Sequence, residues 1–354
     1  MSNNYKRLLI TGGAGFIGGA LIRRLLSNKE YKIFNIDKFS YASDLTGILK
    51  TEGAEDRHFF YKLDLRDKVA LKNAFNEIQP DLIINFAAES HVDRSIDNPS
   101  NFIESNIMGT FNLLECARNY WENLNKNKKS VFRFHHISTD EVYGSLGMEG
   151  KFNESTKYSP RSPYSASKAS SDHLVSSWFH TYGLPIVITN CSNNFGPYQF
   201  PEKFIPLSIL KAFKGEEIPL YGDGSNIRDW LFVEDHIDAI LLVALKGKIG
   251  ESYCIGGYGE KTNKEVVNSV CNLMDKYHPK PYSHLSLIKN VKDRPGHDQR
   301  YAIDSSLIKK EFGWIPKIDF DQGILITLKW YLENIDWCNK ILKQSGYSGE
   351  RLGN

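Results

Sequence analysis

The sequence of 354 residues is long enough for about two structural domains. Its 44 lysine and arginine residues nearly balance 42 aspartate and glutamate residues, which leaves a net charge of +2. This balance argues against a dedicated nucleic-acid-binding protein, because neutralising phosphates needs a clear basic excess. The longest apolar run, at 239–245, has seven residues, whereas a membrane-spanning helix needs about 20. We therefore expect no nucleic-acid partner and no membrane insertion.

Location and cysteine chemistry follow from two further features. No apolar segment as long as a signal peptide precedes Gly12, so we expect a cytoplasmic protein. The cysteines are Cys116, Cys191, Cys254, Cys271 and Cys338. They form no Cys-x-x-Cys pair and no Cys/His cluster with zinc spacing. We expect buried free thiols rather than disulfides or a metal site.

The first half of the chain alternates β-rich runs with helical patterns. Strands are predicted at 7–11, 32–36, 59–62, 81–85, 131–137 and 185–189. Helices are predicted at 16–27, 68–78, 102–121 and 165–182. The basic run at 125–129 is expected to be a solvated loop. Strand–helix alternation is typical of crossover units, so we predict an α/β fold with a Rossmann-type, doubly wound parallel sheet.

From about residue 190 this alternation breaks into short elements separated by glycine and proline turns. Helices are still predicted at 233–245, 264–276 and 320–333. We expect a larger domain at 1–190, to which a segment at about 230–250 returns. A smaller, mixed α/β C-terminal domain is expected at 191–354.

A glycine pattern lies between the first strand and the first helix. Gly12, Gly15 and Gly18 allow a tight turn and let backbone N–H groups approach a pyrophosphate at the helix N-terminus. Asp37 ends the second strand, 19 residues after Gly18. A carboxylate there can bind both ribose hydroxyls and repel a 2′-phosphate. The larger domain is therefore predicted to bind NAD rather than NADP.

Later strand ends supply further candidates for the same pocket. Asp64 follows the third strand, where it could meet the adenine edge, although by itself it would be an exposed acid in a turn. Phe86 is followed by Ala87 and Ala88, whose small side chains leave room beside a cofactor. The glycine pattern upstream favours a cofactor-binding role for Asp64 and for the segment from Phe86 to Ala88.

Tyr164 and Lys168 lie four residues apart at the start of a predicted helix, and therefore on one face. A neighbouring ammonium lowers the pKa of a phenol, which makes the phenolate a usable base near neutral pH. Tyr-x-x-x-Lys is common by chance. Together with the glycine pattern and the Ser138-Thr139 pair upstream, it indicates catalysis.

These motifs resemble those of the extended short-chain dehydrogenase/reductase family, and within it the nucleotide-sugar 4,6-dehydratases. The resemblance extends over residues 11–18, 87–95, 138–144, 164–168, 193–203, 222–224, 228–230 and 293–297. The pair Asp140-Glu141 and the string at 293–297 are much more specific than the glycine and tyrosine motifs. The resemblance implies NAD as cofactor, dTDP-glucose as substrate and a role in deoxysugar biosynthesis. It also implies a homodimer formed through the helices at 102–121 and 165–182, and a substrate-binding role for the smaller domain.

The resemblance further implies a lyase reaction with assigned roles. Tyr164 takes the C4 hydroxyl proton during oxidation, with Lys168 and Thr139 assisting. Glu141 then removes the C5 proton, and Asp140 protonates the leaving C6 hydroxyl. Adjacent carboxyls with opposed tasks need pKa values that are pushed apart. Return of the hydride to C6 completes a 4-keto-6-deoxy sugar.

The binding residues are likewise implied by the resemblance. The expected cofactor-binding residues are Gly12, Gly15, Phe16, Ile17, Gly18, Asp37, Lys38, Phe39, Ser40, Asp64, Leu65, Phe86, Ala87, Ala88, Ser90, Ser105, Tyr164, Lys168 and Asn194. The expected substrate-binding residues are Ser90, Thr139, Asn193, Glu202, Lys203, Phe204, Pro219, Tyr221, Arg228, Asn263, Asp293, Arg294 and His297. Guanidinium groups match phosphate oxygens, which suits the two arginines to a diphosphate. Ser105 replaces the family's frequent threonine but keeps its hydroxyl, and Phe204 replaces a commoner leucine.

Three other functions fit part of the pattern. A UDP-glucose 4-epimerase shares the cofactor site and Tyr164 with Lys168, but has no need of Asp140 and Glu141. A UDP-glucose 4,6-dehydratase performs the same chemistry, and the strings at 228–230 and 294–297 favour the dTDP-specific branch. A non-catalytic NAD-binding scaffold would not need Tyr164, Lys168, Asp140 and Glu141 together.

Overall fold

The computed structural model describes residues 5–347, so the outer ends of both predicted domains lie beyond the described residues. Two compact units are present. The first comprises residues 5–142 together with Pro160–Asn190 and Ile237–Tyr253. The second comprises Tyr143–Ser159, Cys191–His236 and residues 254–347. Tyr143–Ser159, which lies within the larger domain expected from the sequence, thus groups with the second unit.

The strands and helices of the described chain are as follows. The strands are β1 (Arg7–Thr11), β2 (Lys32–Asp37), β3 (His58–Lys62), β4 (Leu82–Asn85), β5 (Arg133–Thr139), β6 (Ile186–Cys191), β7 (Asn193–Phe195), β8 (Ile218–Tyr221), β9 (Ile227–Phe232), β10 (Ser252–Ile255), β11 (Glu260–Thr262) and β12 (Ile288–Val291). The helices are α1 (Phe16–Leu26), α2 (Thr46–Leu49), α3 (Ala54–Arg57), α4 (Lys68–Ile78), α5 (Val92–Asp97), α6 (Pro99–Phe102), α7 (Gly109–Glu122), α8 (Lys126–Val131), α9 (Pro163–Tyr182), α10 (Phe204–Lys214), α11 (Val233–Lys246), α12 (Asn263–Tyr277), α13 (Ser306–Phe312), α14 (Phe320–Glu333) and α15 (Ile335–Ser345). A π-helix at Ile103–Met108 joins α6 to α7, and 3₁₀ turns lie at Asp140–Tyr143 and His284–Leu287.

The central sheet has seven strands in the order β10-β6-β5-β4-β1-β2-β3. β1 pairs in parallel with both β2 and β4, so the strand order reverses at β1. This confirms the predicted doubly wound, Rossmann-type sheet, in which ligands bind at the point of reversal. The six strands predicted in the first half are present with slightly shifted ends, whereas β10 comes from a short, isolated run that the sequence pattern missed.

Helices pack on this sheet through apolar side chains. Leu9, Ile83 and Phe134 of the sheet and Leu113 and Val175 of α7 and α9 belong to one buried cluster. Burying side chains of this size is the main source of stability for such a layer. The sheet and its helices thus form a firm base for the loops at the carboxyl ends of the strands.

Two local predictions need correction. The run at 125–129, expected to be a loop, begins α8 because the Asn125 side chain accepts a hydrogen bond from the Lys128 N–H and so caps the helix. The helix predicted at 102–121 is interrupted by the π-helix, which places Ser105 and Asn106 on a widened turn.

The second unit is mixed α/β, as predicted. β9 pairs in parallel with β7 and antiparallel with β11, and β8 pairs with β12. Phe195, Ile209, Val270 and Leu328 contribute to its buried core. The five cysteine side chains are buried, as expected. Across residues 5–347, no helix combines the length and apolar character needed to cross a membrane.

Candidate active site

The glycine loop lies between β1 and α1, at the point where the strand order reverses. Gly12 has a φ of +71°, and a Cβ there would lie 2.7 Å from the Ala87 backbone nitrogen. A Cβ at Gly18 would lie 2.5 Å from the Gly12 carbonyl oxygen. Glycine is therefore required for the loop to pack against the segment after β4. The N-terminus of α1, at Phe16 and Ile17, stays accessible to an anionic group, which fits the pyrophosphate of NAD.

Asp37 ties the glycine loop to the end of β2. Its carboxylate accepts hydrogen bonds from the backbone N–H groups of Ala14 at 3.1 Å and Phe39 at 2.7 Å, and from the Ser43 hydroxyl at 3.2 Å. Burial raises the pKa of this carboxyl, against the opposing effect of the donors. Phe39, followed by Ser40, adopts a φ of 60°, which an aromatic residue rarely does. The residues predicted to contact the adenosine part of NAD are thus held in place by hydrogen bonds to Asp37.

We expect Asp37→Asn to weaken NADH binding and to reduce the preference over NADPH, because the carboxylate no longer binds the ribose hydroxyls or repels a phosphate. A hydrogen bond to a charged group is worth about 1.5–3 kcal/mol, so NADH affinity should fall about 10- to 150-fold. Calorimetric titration of the cofactor-free enzyme measures both affinities. Asp56→Asn, an exposed carboxyl on α3, is the matched control. An unchanged ratio of the two affinities would contradict the assignment.

Lys38 connects three of the predicted cofactor-binding segments. Its ammonium lies 2.5 Å from the Glu89 carboxylate and 3.1 Å from the Ser105 hydroxyl. Glu89 stands between Ala88 and Ser90, in the segment that follows Phe86. The structure therefore brings the ends of β2 and β4 and the π-helix together, as a cofactor pocket at this edge requires.

Asp64 and Leu65 have contacts within the protein. The Asp64 carboxylate pairs with Arg66 at 2.8 Å. Burial would raise the pKa of Asp64, but the hydrogen bonds and charge of Arg66 lower it overall. The Leu65 side chain packs on Gly109 of α7. The predicted contact of Asp64 with adenine stays a prediction.

The predicted acid–base residues follow β5. Thr139 ends the strand, and its hydroxyl lies 3.3 Å from both the Asp140 carboxylate and the Glu141 backbone nitrogen. Asp140 is only 1% exposed, whereas Glu141 is partly exposed. The 3₁₀ turn thus presents two adjacent carboxyl groups in different environments, which is what opposed acid and base roles require.

The other two catalytic candidates lie on α9. A capping box formed by Ser162 and Ser165 begins this helix, which places Tyr164 in its first turn. The Tyr164 ring packs edge-on against Phe102, with ring centroids 6.3 Å apart. The buried Lys168 ammonium donates to the Ile137 carbonyl of β5 at 2.8 Å. The helix that carries Tyr164 is therefore attached to the strand that carries Thr139.

Sequence reasoning missed Asn106, which lies in the π-helix. Its side-chain oxygen accepts from the Glu89 N–H at 2.8 Å, and its nitrogen donates to the Glu89 carbonyl at 3.0 Å and to the Ser167 hydroxyl at 2.8 Å. Asn106 thus holds the segment after β4 against α9. Nothing in the local pattern distinguishes this asparagine from a helical surface residue.

In the second unit, several predicted substrate residues come together. The Asp293 carboxylate lies 2.6 Å from His297 Nδ1, and the Tyr221 ring meets the His297 ring edge-on. Burial, together with the charges of Arg294 and Arg228, lowers the pKa of His297 to about 4. The buried Arg228 donates to the Asp298 carbonyl at 3.0 Å and packs over Tyr301. A neutral imidazole beside two guanidinium groups suits an anionic ligand.

The remaining predicted substrate residues of this unit are distributed over four elements. Glu202, Lys203 and Phe204 stand at the start of α10. Pro219 lies on β8, and Asn263 begins α12, with its backbone N–H bonded to the Asn226 carbonyl. Asn193 begins β7. Their roles in binding a nucleotide sugar stay predictions.

The Asn194 side chain forms hydrogen bonds within the second unit. Its side-chain nitrogen donates to the Ser192 carbonyl at 3.0 Å, and its side-chain oxygen lies 2.9 Å from His236 Nδ1. Since this oxygen can only accept, the Nδ1 atom carries the proton. Burial lowers the pKa of His236 from 6.5 to about 3, so the ring is neutral at physiological pH.

His236 should make stability depend on pH. Because its folded-state pKa is depressed, the stabilisation is complete above pH 6.5 and is lost as the pH falls towards 3. Between pH 7 and pH 5 we expect this group to lower the free energy of unfolding by ~2 kcal/mol. Urea unfolding at both pH values should show a smaller loss for His236→Gln than for wild type. The exposed His180→Gln is the control, and equal losses in all three proteins would refute the prediction.

Comparison with known proteins identifies the family. A family model described as GDP-mannose 4,6 dehydratase matches residues 9–327. The dTDP-glucose 4,6-dehydratase of Shigella flexneri is 52% identical over 344 residues, with 95% of each chain covered. The chain belongs to the dTDP-glucose 4,6-dehydratase family. The family predicted from the sequence motifs is thereby confirmed.

Solved structures of dTDP-glucose 4,6-dehydratases share the fold. The enzyme from Bacillus anthracis, in complex with NAD, is 42% identical with a TM-score of 0.84 and covers 95% of this chain and 99% of that chain. The enzyme from Streptomyces venezuelae, with NAD and dTDP bound, is 41% identical with a TM-score of 0.86 and the same coverage. In this chain, the glycine loop and Asp37 are the features that suit the binding of NAD, the cofactor present in both of these structures.

Proposed function

We propose that the protein is an NAD-dependent lyase that converts dTDP-glucose to dTDP-4-keto-6-deoxyglucose and water. The observation that carries this proposal is the position of Asp140 and Glu141 directly after Thr139, at the end of β5. The same unit contains the glycine loop and the pair of Tyr164 and Lys168. Oxidation at C4 by itself needs only Tyr164 and Lys168. Loss of water across C5 and C6 needs an additional base and acid.

The reaction uses these side chains in sequence. The glycine loop and Asp37 would hold NAD, whose nicotinamide would supply the hydride chemistry at C4 and C6. Tyr164 accepts the proton of the C4 hydroxyl, while the Lys168 ammonium, one helical turn further on, stabilises the phenolate. The C4 ketone acidifies the C5 proton, which Glu141 removes as Asp140 protonates the C6 hydroxyl and water leaves. Glu141 then returns its proton to C5 as C6 receives the hydride. Tyr164 releases its proton and Asp140 takes one up, so the starting protonation states are restored with no net change in protons.

The second unit is proposed to bind the nucleotide part of the substrate. Arg228 and Arg294 supply positive charge near the neutral His297 ring, and guanidinium groups bind phosphate oxygens in pairs. Lys203, at the start of α10, adds a further cation. This arrangement supports a diphosphate ligand. The preference for thymine over uracil rests on the family relationship.

The test is to incubate the enzyme with dTDP-glucose in deuterated water, with UDP-glucose in a parallel reaction. We expect a 4-keto-6-deoxy product that carries deuterium at C5, formed faster from dTDP-glucose. Faster turnover of UDP-glucose would overturn the choice of nucleotide. Recovery of unlabelled substrate, or formation of the galactose epimer, would overturn the proposed dehydration.

We also infer a homodimer that acts in the cytoplasm, with contacts formed through α7 and α9. Support comes from large apolar side chains near these helices, since Ile103, Met108 and Tyr182 are each more than 40% exposed. Exposed apolar groups of this kind favour association. Sedimentation equilibrium should give twice the chain mass of 40.4 kDa. A monomer at micromolar concentration would contradict the inference.

A further inference from the structure

Four adjacent strands of the central sheet carry polar side chains in one buried row. The row consists of Thr11 on β1, Asn85 on β4, His136 on β5 and Asn190 on β6, and each is at most 1% exposed. The Thr11 hydroxyl donates to the Asn85 oxygen at 2.5 Å, and Asn85 Nδ2 lies 3.0 Å from His136 Nδ1. Because the amide nitrogen can only donate, Nδ1 accepts and the His136 proton is on Nε2.

Asp172 of α9 closes this row from the helix side. His136 Nε2 lies 3.3 Å from Asp172 Oδ1, which completes the connection to Thr11. Asp172 Oδ2 accepts from the Ser138 hydroxyl at 2.7 Å and from Asn190 Nδ2 at 3.2 Å. The carboxyl is 2% exposed. Three elements of the unit, β5, β6 and α9, therefore converge on one buried carboxylate.

The partners of Asp172 include both catalytic segments. Ser138 directly precedes Thr139, and Asn190 Nδ2 also lies 3.2 Å from the Thr139 carbonyl oxygen. Lys168 stands one turn before Asp172 on the same face of α9, and its ammonium binds the Ile137 carbonyl of β5. Asp172 thus connects the helix that carries the C4 base to the end of the strand that leads into Asp140 and Glu141.

The charges in this cluster are consistent with an ionised Asp172. Burial would raise its pKa, but the neighbouring His136 ring and the charge of Lys168 lower it overall. Burial and the Lys168 charge lower the pKa of His136, so the imidazole stays neutral. A buried ammonium is costly unless a counter-charge is near. Asp172 supplies that counter-charge to Lys168.

We propose that Asp172 is a positioning residue for oxidation at C4, which holds Lys168 and the Ser138-Thr139 segment in fixed relation to each other. The proposal rests on the proposed function, because it assigns the residue to a step of that reaction. Asp172 acts through its neighbours and is not assigned contact with the sugar. Its loss should therefore slow the first chemical step and leave binding of the nucleotide sugar largely intact.

The test compares wild type with Asp172→Asn, which keeps the shape of the side chain but removes its charge. Reduction of NAD is followed by absorbance after rapid mixing with dTDP-glucose. Misplacing catalytic groups by about 1 Å from a distance can cost about 100-fold, so we expect the rate of reduction to fall about 10- to 100-fold. The KM for dTDP-glucose should change less than about twofold, a separation that general loss of structure would not produce.

Two further variants keep the test decisive. Ser138→Ala removes one donor to Asp172 and should slow reduction by a smaller factor, even if Asp172→Asn does not fold. His135→Gln is the matched control, because His135 is a buried neighbour of His136 on β5 that contacts Thr189 instead of the row. It should leave the rate of reduction unchanged.

The outcomes separate the two proposals. If wild type reduces NAD with dTDP-glucose and Asp172→Asn does so at the same rate, the positioning role is wrong and the proposed function stands. An equal loss in His135→Gln and in Asp172→Asn also overturns the positioning role, because the effect would then be general. A wild-type protein that never reduces NAD with this substrate overturns the proposed function itself.

Discussion

Glu141→Gln is expected to stop the loss of water while oxidation at C4 continues. The glutamine has nearly the same shape but cannot remove the C5 proton. Loss of a general base costs about 10²- to 10⁴-fold in rate, and the overall turnover should fall by this amount. Because Tyr164 and Lys168 are untouched, the reduced cofactor should accumulate after rapid mixing and decay slowly. Stopped-flow absorbance and product analysis measure the two effects separately.

The matched control for this prediction is Glu149→Gln. Glu149 lies eight residues further along the chain and is exposed, so the same change of charge should have no effect there. Turnover of Glu141→Gln at the wild-type rate would show that another group is the C5 base. Failure to reduce the cofactor at all would instead indicate that Glu141 supports oxidation at C4.

Tyr164→Phe is expected to prevent the first step, and with it every later one. The ring that packs against Phe102 is retained, so the helix should stay in place while the acceptor for the C4 hydroxyl proton is lost. We expect turnover to fall about 10²- to 10⁴-fold. In contrast to Glu141→Gln, no reduced cofactor should accumulate. The two variants together would place the two bases in separate steps.

Tyr182→Phe serves as the control, because Tyr182 ends the same helix and is 41% exposed. It should turn over dTDP-glucose at the wild-type rate. Rapid accumulation of reduced cofactor in Tyr164→Phe would assign the C4 base to another residue. Circular dichroism of both variants would check that α9 is intact.

Much of the cofactor site could be predicted because its chemistry is local in the sequence. The glycine loop occupies consecutive residues between a strand and a helix, and its packing on Ala87 is as tight as a dinucleotide loop requires. Asp37 stands at the end of the next strand, and its position follows from the alternation of β1, α1 and β2. Helical spacing likewise placed Tyr164 and Lys168 on one face.

Long-range contacts could not be predicted in this way. β10 joins the sheet from residue 252, and its four residues carry too short a pattern to indicate which strand they would pair with. The π-helix that holds Asn106 depends on packing against α9 and the segment after β4. The sequence alone does not show whether a polar residue within a strand, such as His136, faces solvent or the interior, because that depends on which elements pack beside the strand.

By itself, the sequence determined the class of fold and the cofactor loop and indicated candidate acid–base residues, because each depends on side-chain chemistry and spacing over a few residues. The tertiary structure alone decided how these parts are held together. The connection from Thr11 through Asn85 and His136 to Asp172 joins residues 11 and 172 through three strands and one helix. These contacts can form only after the sheet has placed the strands side by side, because side chains on different strands cannot meet until the strands are neighbours.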